Sequence, residues 1–319
     1  MTKILANDGI SQAGIDSLTE KGFHIVTEHV AQDDLIKTIN TENYEVLLVR
    51  SATSVRKDLI DACPHLKIVG RGGVGMDNID VEYAREKGIN VINTPAASSS
   101  SVAELVFAHL FGMVRFLFDS NRQMPMTGDA DFKGLKKSYA KGKELAGKTL
   151  GIIGFGRIGQ EVAKRAIGLG MKVMAHDKFI EEVNITLDFF NGSKKSFTIE
   201  TENLKEVLKN SDFITLHIPK ISNKAVIGAE EIGMMKTGAG IVNAARGGLI
   251  DETALMFALD KEKLAYAGLD VFDNEPNPSI HICMHNAISL TPHIGAATLE
   301  AQDRIGTELA DQIATHFNK

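Results

Sequence analysis

Along the first hundred positions, short apolar runs alternate with stretches whose apolar residues recur every three to four positions. The runs at 3–6, 23–27, 46–50, 68–71 and 90–93 predict strands, and the segments near 11–21, 33–38, 57–62 and 81–87 predict helices. Strands separated by single helices form parallel sheets with helical crossovers. The alternation resumes at Lys148, so two α/β domains are expected. Between them, Ser101-x-x-Glu104 has the form of a capping box heading the apolar stretch 102–118. The serine run 98–101 lacks a G-x-S-x-G elbow, so capping explains it better than nucleophilic chemistry. Residues 119–147 are polar and rich in Gly and Lys, and predict an irregular arm. The last segment, 299–319, is helical by pattern and follows Thr291-Pro292, where the chain can change direction. It is expected to return to the first domain, making 1–98 with 295–319 one domain and 99–294 the other. Alternating apolar residues around Asn191-Gly192 predict a hairpin over 185–200, a surface embellishment of the second domain.

Residues 149–177 read TLGIIGFGRIGQEVAKRAIGLGMKVMAHD. An apolar run enters Gly154-x-Gly156-x-x-Gly159, which opens an amphipathic helix, and a second apolar run ends at Asp177. Gly154 allows the tight strand-to-helix turn, Gly156 lets backbone approach a pyrophosphate, and Gly159 lets helix and strand pack closely. The helix N-terminus offers free N–H groups to phosphate charge. Asp177, about twenty residues on, can accept hydrogen bonds from ribose hydroxyls. Its carboxylate would repel a 2′-phosphate, which favours NAD over NADP. Lys178 follows directly and could soften that preference, though a solvated surface lysine is the simpler reading.

Composition narrows the class. The chain has 319 residues, 44% of them hydrophobic and 24% charged, enough for two ordinary globular cores. A net charge of −6 argues against a nucleic-acid surface. Cys63 and Cys283 are the only cysteines, with no disulfide or zinc spacing, so a reducing cytoplasmic setting is expected and no metal site. The start MTKILANDGI has no charged-then-apolar leader pattern.

Three ionisable residues follow apolar runs in the second half. Arg246 lies between VNAA and Gly247-Gly248, Glu275 in DVFDNEP, and His293 in TPHIGAAT. Singly, each is an ordinary loop residue. Ligands of open parallel sheets bind beyond the carboxyl ends of strands, so the three can converge. Oxidising a hydroxy acid removes a hydride and a hydroxyl proton together. Histidine suits that proton, a carboxylate can hold its tautomer and stabilise imidazolium, and an arginine fork can bind the α-carboxylate.

With the glycine motif, NAARGGLID, DVFDNEP and TPHIGAAT in that order, the chain resembles the D-isomer-specific 2-hydroxyacid dehydrogenases over nearly its whole length. It is most similar to the branch that oxidises 3-phospho-D-glycerate for serine biosynthesis. The resemblance implies a Rossmann NAD-binding domain inserted into a flavodoxin-like substrate domain, both doubly wound parallel sheets. It implies catalytic Arg246, Glu275 and His293. NAD contacts are implied for Val74, Gly154, Gly156, Arg157, Ile158, Gly159, Asp177, Ala244, Ala245, Asp270, Gly295 and Ala296. Asp270 would receive the nicotinamide carboxamide, and His217, Ile218 and Pro219 would border the adenine. In the loop RGGVGMDNID, backbone N–H groups near Gly73 and Val74 would take the substrate carboxylate, and glycine-rich turns form such anion nests on physical grounds. Arg50, Ser51 and Arg71 fit a phosphate site, the alternative for both arginines being ordinary surface charge.

Some features depart from the family pattern. Ala96-Ala97-Ser98 stands where a more polar sequence is common, the arm lacks its frequent tryptophan, and the C-terminal regulatory domain that gives some relatives serine feedback is not expected after Lys319. Insensitivity to serine is therefore expected, as is a homodimer formed through the 102–118 helix and the arm. Alternative readings are a glyoxylate or hydroxypyruvate reductase, another D-2-hydroxyacid dehydrogenase, and an NAD-sensing corepressor. Glu275 disfavours a formate dehydrogenase.

Overall fold

Short apolar runs buried on both faces build the first sheet of the computed structural model, which describes all 319 residues. The chain enters as β1 (Lys3–Ala6), α1 (Gln12–Glu20), β2 (His24–Val26), α2 (Gln32–Glu42) and β3 (Val46–Val49). It continues as α3 (Lys57–Ala62), β4 (Ile68–Arg71), α4 (Val81–Glu86) and β5 (Asn90–Asn93). All strands are parallel, in the order β2-β1-β3-β4-β5. That is the flavodoxin-like doubly wound order.

Next come α5 (Ser99–Val114), α6 (Leu117–Thr127) and α7 (Phe132–Ser138). The arm is thus largely helical rather than irregular. Its helices bury no side chain of their own, and α6 carries Pro125. A strong local pattern was therefore absent. The apolar stretch breaks at Phe116, whose left-handed backbone (φ 54°) separates α5 from α6. Ser101 is not a helix cap. It lies inside the first turn of α5, where its hydroxyl pairs with Thr298 Oγ1 at 2.8 Å.

The remaining elements are β6 (Thr149–Ile153), α8 (Arg157–Gly168), β7 (Lys172–His176), β8 (Glu182–Asp188), β9 (Lys194–Glu200), α9 (Leu204–Asn210) and β10 (Phe213–Leu216). They continue as α10 (Ala229–Met234), β11 (Ala239–Asn243), α11 (Glu252–Asp260), β12 (Leu264–Leu269), α12 (Ile280–Met284), β13 (Ile288–Leu290) and α13 (Leu299–His316). Six of these strands form an all-parallel sheet ordered β13-β12-β11-β10-β6-β7. The strands β8 and β9 pair antiparallel around Asn191-Gly192, as the alternation predicts. The hairpin is anchored rather than merely attached, because Ile185 is fully buried in the core shared by α5, β6 and α8.

Two compact units result, Met1–Ser101 with Ala296–Lys319, and Val102–Gly295. The divide falls a few residues from the positions 98/99 and 294/295 expected from the sequence. Helix α13 is capped by Thr298 and buries Ile305, Leu309 and Ile313 in the first unit.

Candidate active site

Every strand of the six-stranded sheet points the same way, so the segments after the strands share one edge. Strand order reverses at β6, with β7 on one side and β10 on the other. Open sheets bind ligands at such a switch point. The glycine turn leaves β6 there. Gly154 has φ +96°, and a Cβ on it would press on the His217 carbonyl oxygen at 2.5 Å. A Cβ on Gly159 would overlap the Gly154 carbonyl, whereas Gly156 faces open space. Two glycines are thus needed for the turn itself and the third keeps its cusp bare. No side chain caps α8 at Gly156, so the helix start, with Arg157 and Ile158, is open to an anion. The turn after β10, His217-Ile218-Pro219, lies against Gly154, and His217 Nδ1 is buried without a partner. These features fit a dinucleotide.

Asp177 ends β7 as expected, and it also braces the turn. Its Oδ2 accepts the Phe155 N–H at 2.7 Å, and its Oδ1 accepts the Phe179 N–H at 2.9 Å. Oδ1 also accepts the Ile180 N–H at 3.3 Å, and a carboxylate has about four acceptor positions, so capacity for one ribose hydroxyl remains.

The other expected residues follow β11, β12 and β13 along the same edge. After β11 come Ala244, Ala245 and Arg246. Asn243 ties this loop together, donating from Nδ2 to the Arg246 carbonyl at 2.8 Å and accepting the Ala245 N–H. A Cβ on Gly247 would overlap the Phe272 carbonyl, so only glycine lets the Arg246 loop lie against the segment after β12. Glu275 Oε1 accepts the Phe272 N–H at 3.0 Å, and its Oε2 lies 2.7 Å from His293 Nδ1. A carboxylate only accepts, so Nδ1 carries a proton, and Nε2 is the ring position left to exchange one. The His293 ring is partly exposed, as a group meeting a ligand must be.

Asp270 directly follows β12 and is 1% exposed. Its Oδ1 accepts the Thr291 hydroxyl at 2.6 Å and the Ile294 N–H at 2.8 Å, and its Oδ2 accepts the Gly295 N–H at 2.8 Å. It thus clamps the turn that carries His293, whose backbone is left-handed (φ 55°). Sequence spacing alone did not show this task.

Val74, Ala296, Arg50, Ser51, Arg71 and Gly73 belong to the other unit. Arg50 and Arg71 end neighbouring strands, with Val49 in register with Arg71. Asp8 accepts the backbone N–H groups of Arg50 and Thr53, and Asn78 donates to the carbonyls of both. The exposed Ser51 lies in the loop they brace. Arg71 Nη1 donates to the Gly72 carbonyl at 2.6 Å, and a Cβ at Gly73 (φ +139°) would overlap that guanidinium. One expectation is corrected here. The buried Gly73 N–H donates to Thr94 Oγ1 at 2.9 Å, so it is not free to take a carboxylate. Val74, the other residue expected there, is exposed.

A parallel sheet with a bare glycine turn at its switch point, and a carboxylate–imidazole pair farther along the same edge, defines a dinucleotide-dependent dehydrogenase. Comparison with known proteins agrees. Residues 107–295 match the D-isomer specific 2-hydroxyacid dehydrogenase NAD-binding domain. Hydroxypyruvate reductase of Thermotoga maritima is 43% identical over 98% of this chain and 97% of its own length. D-3-phosphoglycerate dehydrogenase of Methanocaldococcus jannaschii is also 43% identical over 98% of this chain, which spans only 57% of that relative. The NAD+-bound 3-phosphoglycerate dehydrogenase of Entamoeba histolytica superposes with TM-score 0.77 at 28% identity, covering 100% of this chain and 96% of the other. The chain belongs to the D-isomer specific 2-hydroxyacid dehydrogenases, NAD-dependent enzymes of the two-unit α/β class.

Proposed function

We propose that this dehydrogenase interconverts 3-phospho-D-glycerate and 3-phosphohydroxypyruvate, an early oxidation toward serine carried out in the cytoplasm. Bound NAD supplies the hydride acceptor. His293 Nε2 takes the hydroxyl proton during oxidation and returns it in reduction. Glu275, at 2.7 Å from Nδ1, holds the imidazole in that tautomer and stabilises the imidazolium that forms. Arg246 binds the α-carboxylate and polarises the developing carbonyl. Asp270 and the His217, Ile218 and Pro219 turn hold the cofactor with the glycine loop and Asp177.

The phosphorylated substrate rests on one observation: two guanidinium side chains, Arg50 and Arg71, end adjacent strands beside a glycine turn. Arg50 makes no side-chain hydrogen bond within the chain, leaving its fork for a ligand phosphate. The numerous phosphoglycerate dehydrogenases among the relatives support the same reading. A hydroxypyruvate or glyoxylate reductase is the second reading, favoured by the Thermotoga relative that matches end to end. Substrate panels on Arg50→Ala and Arg71→Ala separate the two. Each lost contact to a charged group should weaken turnover of the phosphorylated acid about ten- to a hundredfold, with a much smaller effect on hydroxypyruvate. Equal losses on both substrates would favour the reductase.

A further inference from the structure

Helix α5 is strongly apolar, yet its buried face carries a histidine. His109 is 2% exposed among Val106, Leu110 and Met113. Burial lowers its pKa below the ordinary value, and Asp270, the charge that faces it, opposes this. Both ring nitrogens reach β13 and the residue after it: Nδ1 is 2.8 Å from Ser289 Oγ, and Nε2 is 3.1 Å from Thr291 Oγ1. A place is kept for the ring on the sheet. A Cβ on Gly268 of β12 would lie 2.9 Å from His109 Cβ.

The direction of each bond follows from its end. The Asp270 carboxylate only accepts, so the Thr291 hydroxyl donates to it. Thr291 Oγ1 can then only accept from His109, which places the proton on Nε2. A neutral ring accepts at Nδ1, so the Ser289 hydroxyl donates there. One directed chain runs Ser289 → His109 → Thr291 → Asp270, and Asp270 holds the consecutive N–H groups of Ile294 and Gly295, one on each carboxylate oxygen. His293 sits just before them in a left-handed conformation that isolated side chains rarely adopt.

We propose that His109 is a positioning residue for the reaction, setting through Thr291 and Asp270 the turn that presents the His293 imidazole. This rests on the reading of His293 as the acid–base group. The role requires only a neutral ring with one donor and one acceptor. A glutamine amide supplies both and a phenylalanine ring supplies neither.

The test compares His109→Phe and His109→Gln in the full chain, with NADH-dependent reduction of hydroxypyruvate as the probe reaction. In His109→Phe, kcat should fall about ten- to a hundredfold, the scale of a slight misplacement of a reacting group. KM for hydroxypyruvate should change by less than about threefold, because the lost interaction does not bind substrate. His109→Gln should recover most of the loss. Histidine ¹⁵N NMR gives a readout independent of turnover. The wild type should show His109 neutral with its proton on Nε2, and the His293 resonances should move in the Phe variant and return in the Gln variant. Thr291→Val breaks the next link without altering the core around residue 109, and serves if the Phe variant does not fold. Combined with His109→Phe it should cost no more than either change alone. A folded Phe variant with unchanged kcat and unshifted His293 resonances overturns the proposal, as does a charged His109 or one protonated on Nδ1. His293→Ala is the control. Retained turnover there refutes the acid–base reading, while the NMR comparison still decides the role of His109.

Discussion

His293 adopts a left-handed backbone, a conformation that costs a residue with a β-carbon roughly 1–3 kcal/mol. Asp270 and Glu275 offset that cost by holding the turn and the ring respectively. His293→Ala should lower turnover by about two to four orders of magnitude, the usual worth of an acid–base group, with NAD affinity unchanged. Stopped turnover with intact cofactor binding is the pattern to look for. Asp177 carries two tasks in one carboxylate. Asp177→Ala should relax the preference for NAD over NADP, measured as the ratio of specificity constants, because repulsion of a 2′-phosphate is gone. It should also weaken both cofactors, because Phe155 loses its partner. The first effect is readable from the spacing of the glycine motif. The second is not, since a backbone N–H has no signature in a sequence. Gly73 teaches the same lesson, because its glycine suggested an anion nest while Thr94, just after β5, had already taken the N–H.

At the scale of elements, apolar runs and three-to-four periodicity located the strands and helices of the first unit to within a residue or two, except that α2 runs four residues past its expected end, because each is short, apolar and bounded by turn residues. Patterns failed in the arm, where α6 and α7 bury nothing within the chain and leave no apolar stripe to read. The hairpin was legible from Asn191-Gly192, but its anchoring was not. Ile185→Ala should destabilise the second unit by about 2–5 kcal/mol, whereas Phe190→Ala at the exposed tip should stay within about 0.5 kcal/mol. Urea denaturation would compare the two. The turn after β10 predicts a pH effect. Burial pushes His217 from its ordinary 6.5 down to about 3. Below pH 6.5 the unfolded chain takes up a proton that the native state refuses. Stability should therefore fall as pH drops from about 6.5 towards 3, by at most about 1.4 kcal/mol per pH unit for this group. His217→Asn should flatten that limb in urea midpoints measured across the range.

For the whole molecule, we propose a homodimer, formed more by the arm than by the helix before it. Helix α5 spends most of its circumference on the core of its own chain. Beyond Phe111 on its outer face, the exposed apolar residues are Leu117, Met124, Met126 and Phe132, on an arm without a core of its own. Light scattering at micromolar concentration should therefore give a dimer for the parent chain and monomers for Leu117→Asp with Met126→Asp. No single helix is long and apolar enough to cross a membrane. The sequence by itself determined the two parallel α/β units and the dinucleotide turn, and it singled out Arg246, Glu275 and His293 as candidates, because element periodicity and motif spacing are local properties of the chain. Only the tertiary structure decided what holds them. Asp270 with Thr291, Asp8 with Arg50 and Asp177 with Phe155 are apart in sequence and meet because each parallel sheet delivers its strand ends to one edge, while His109 meets Ser289 because α5 packs on the sheet. Hydrogen bonds between such residues follow strand order, which no local pattern of apolar and polar positions encodes.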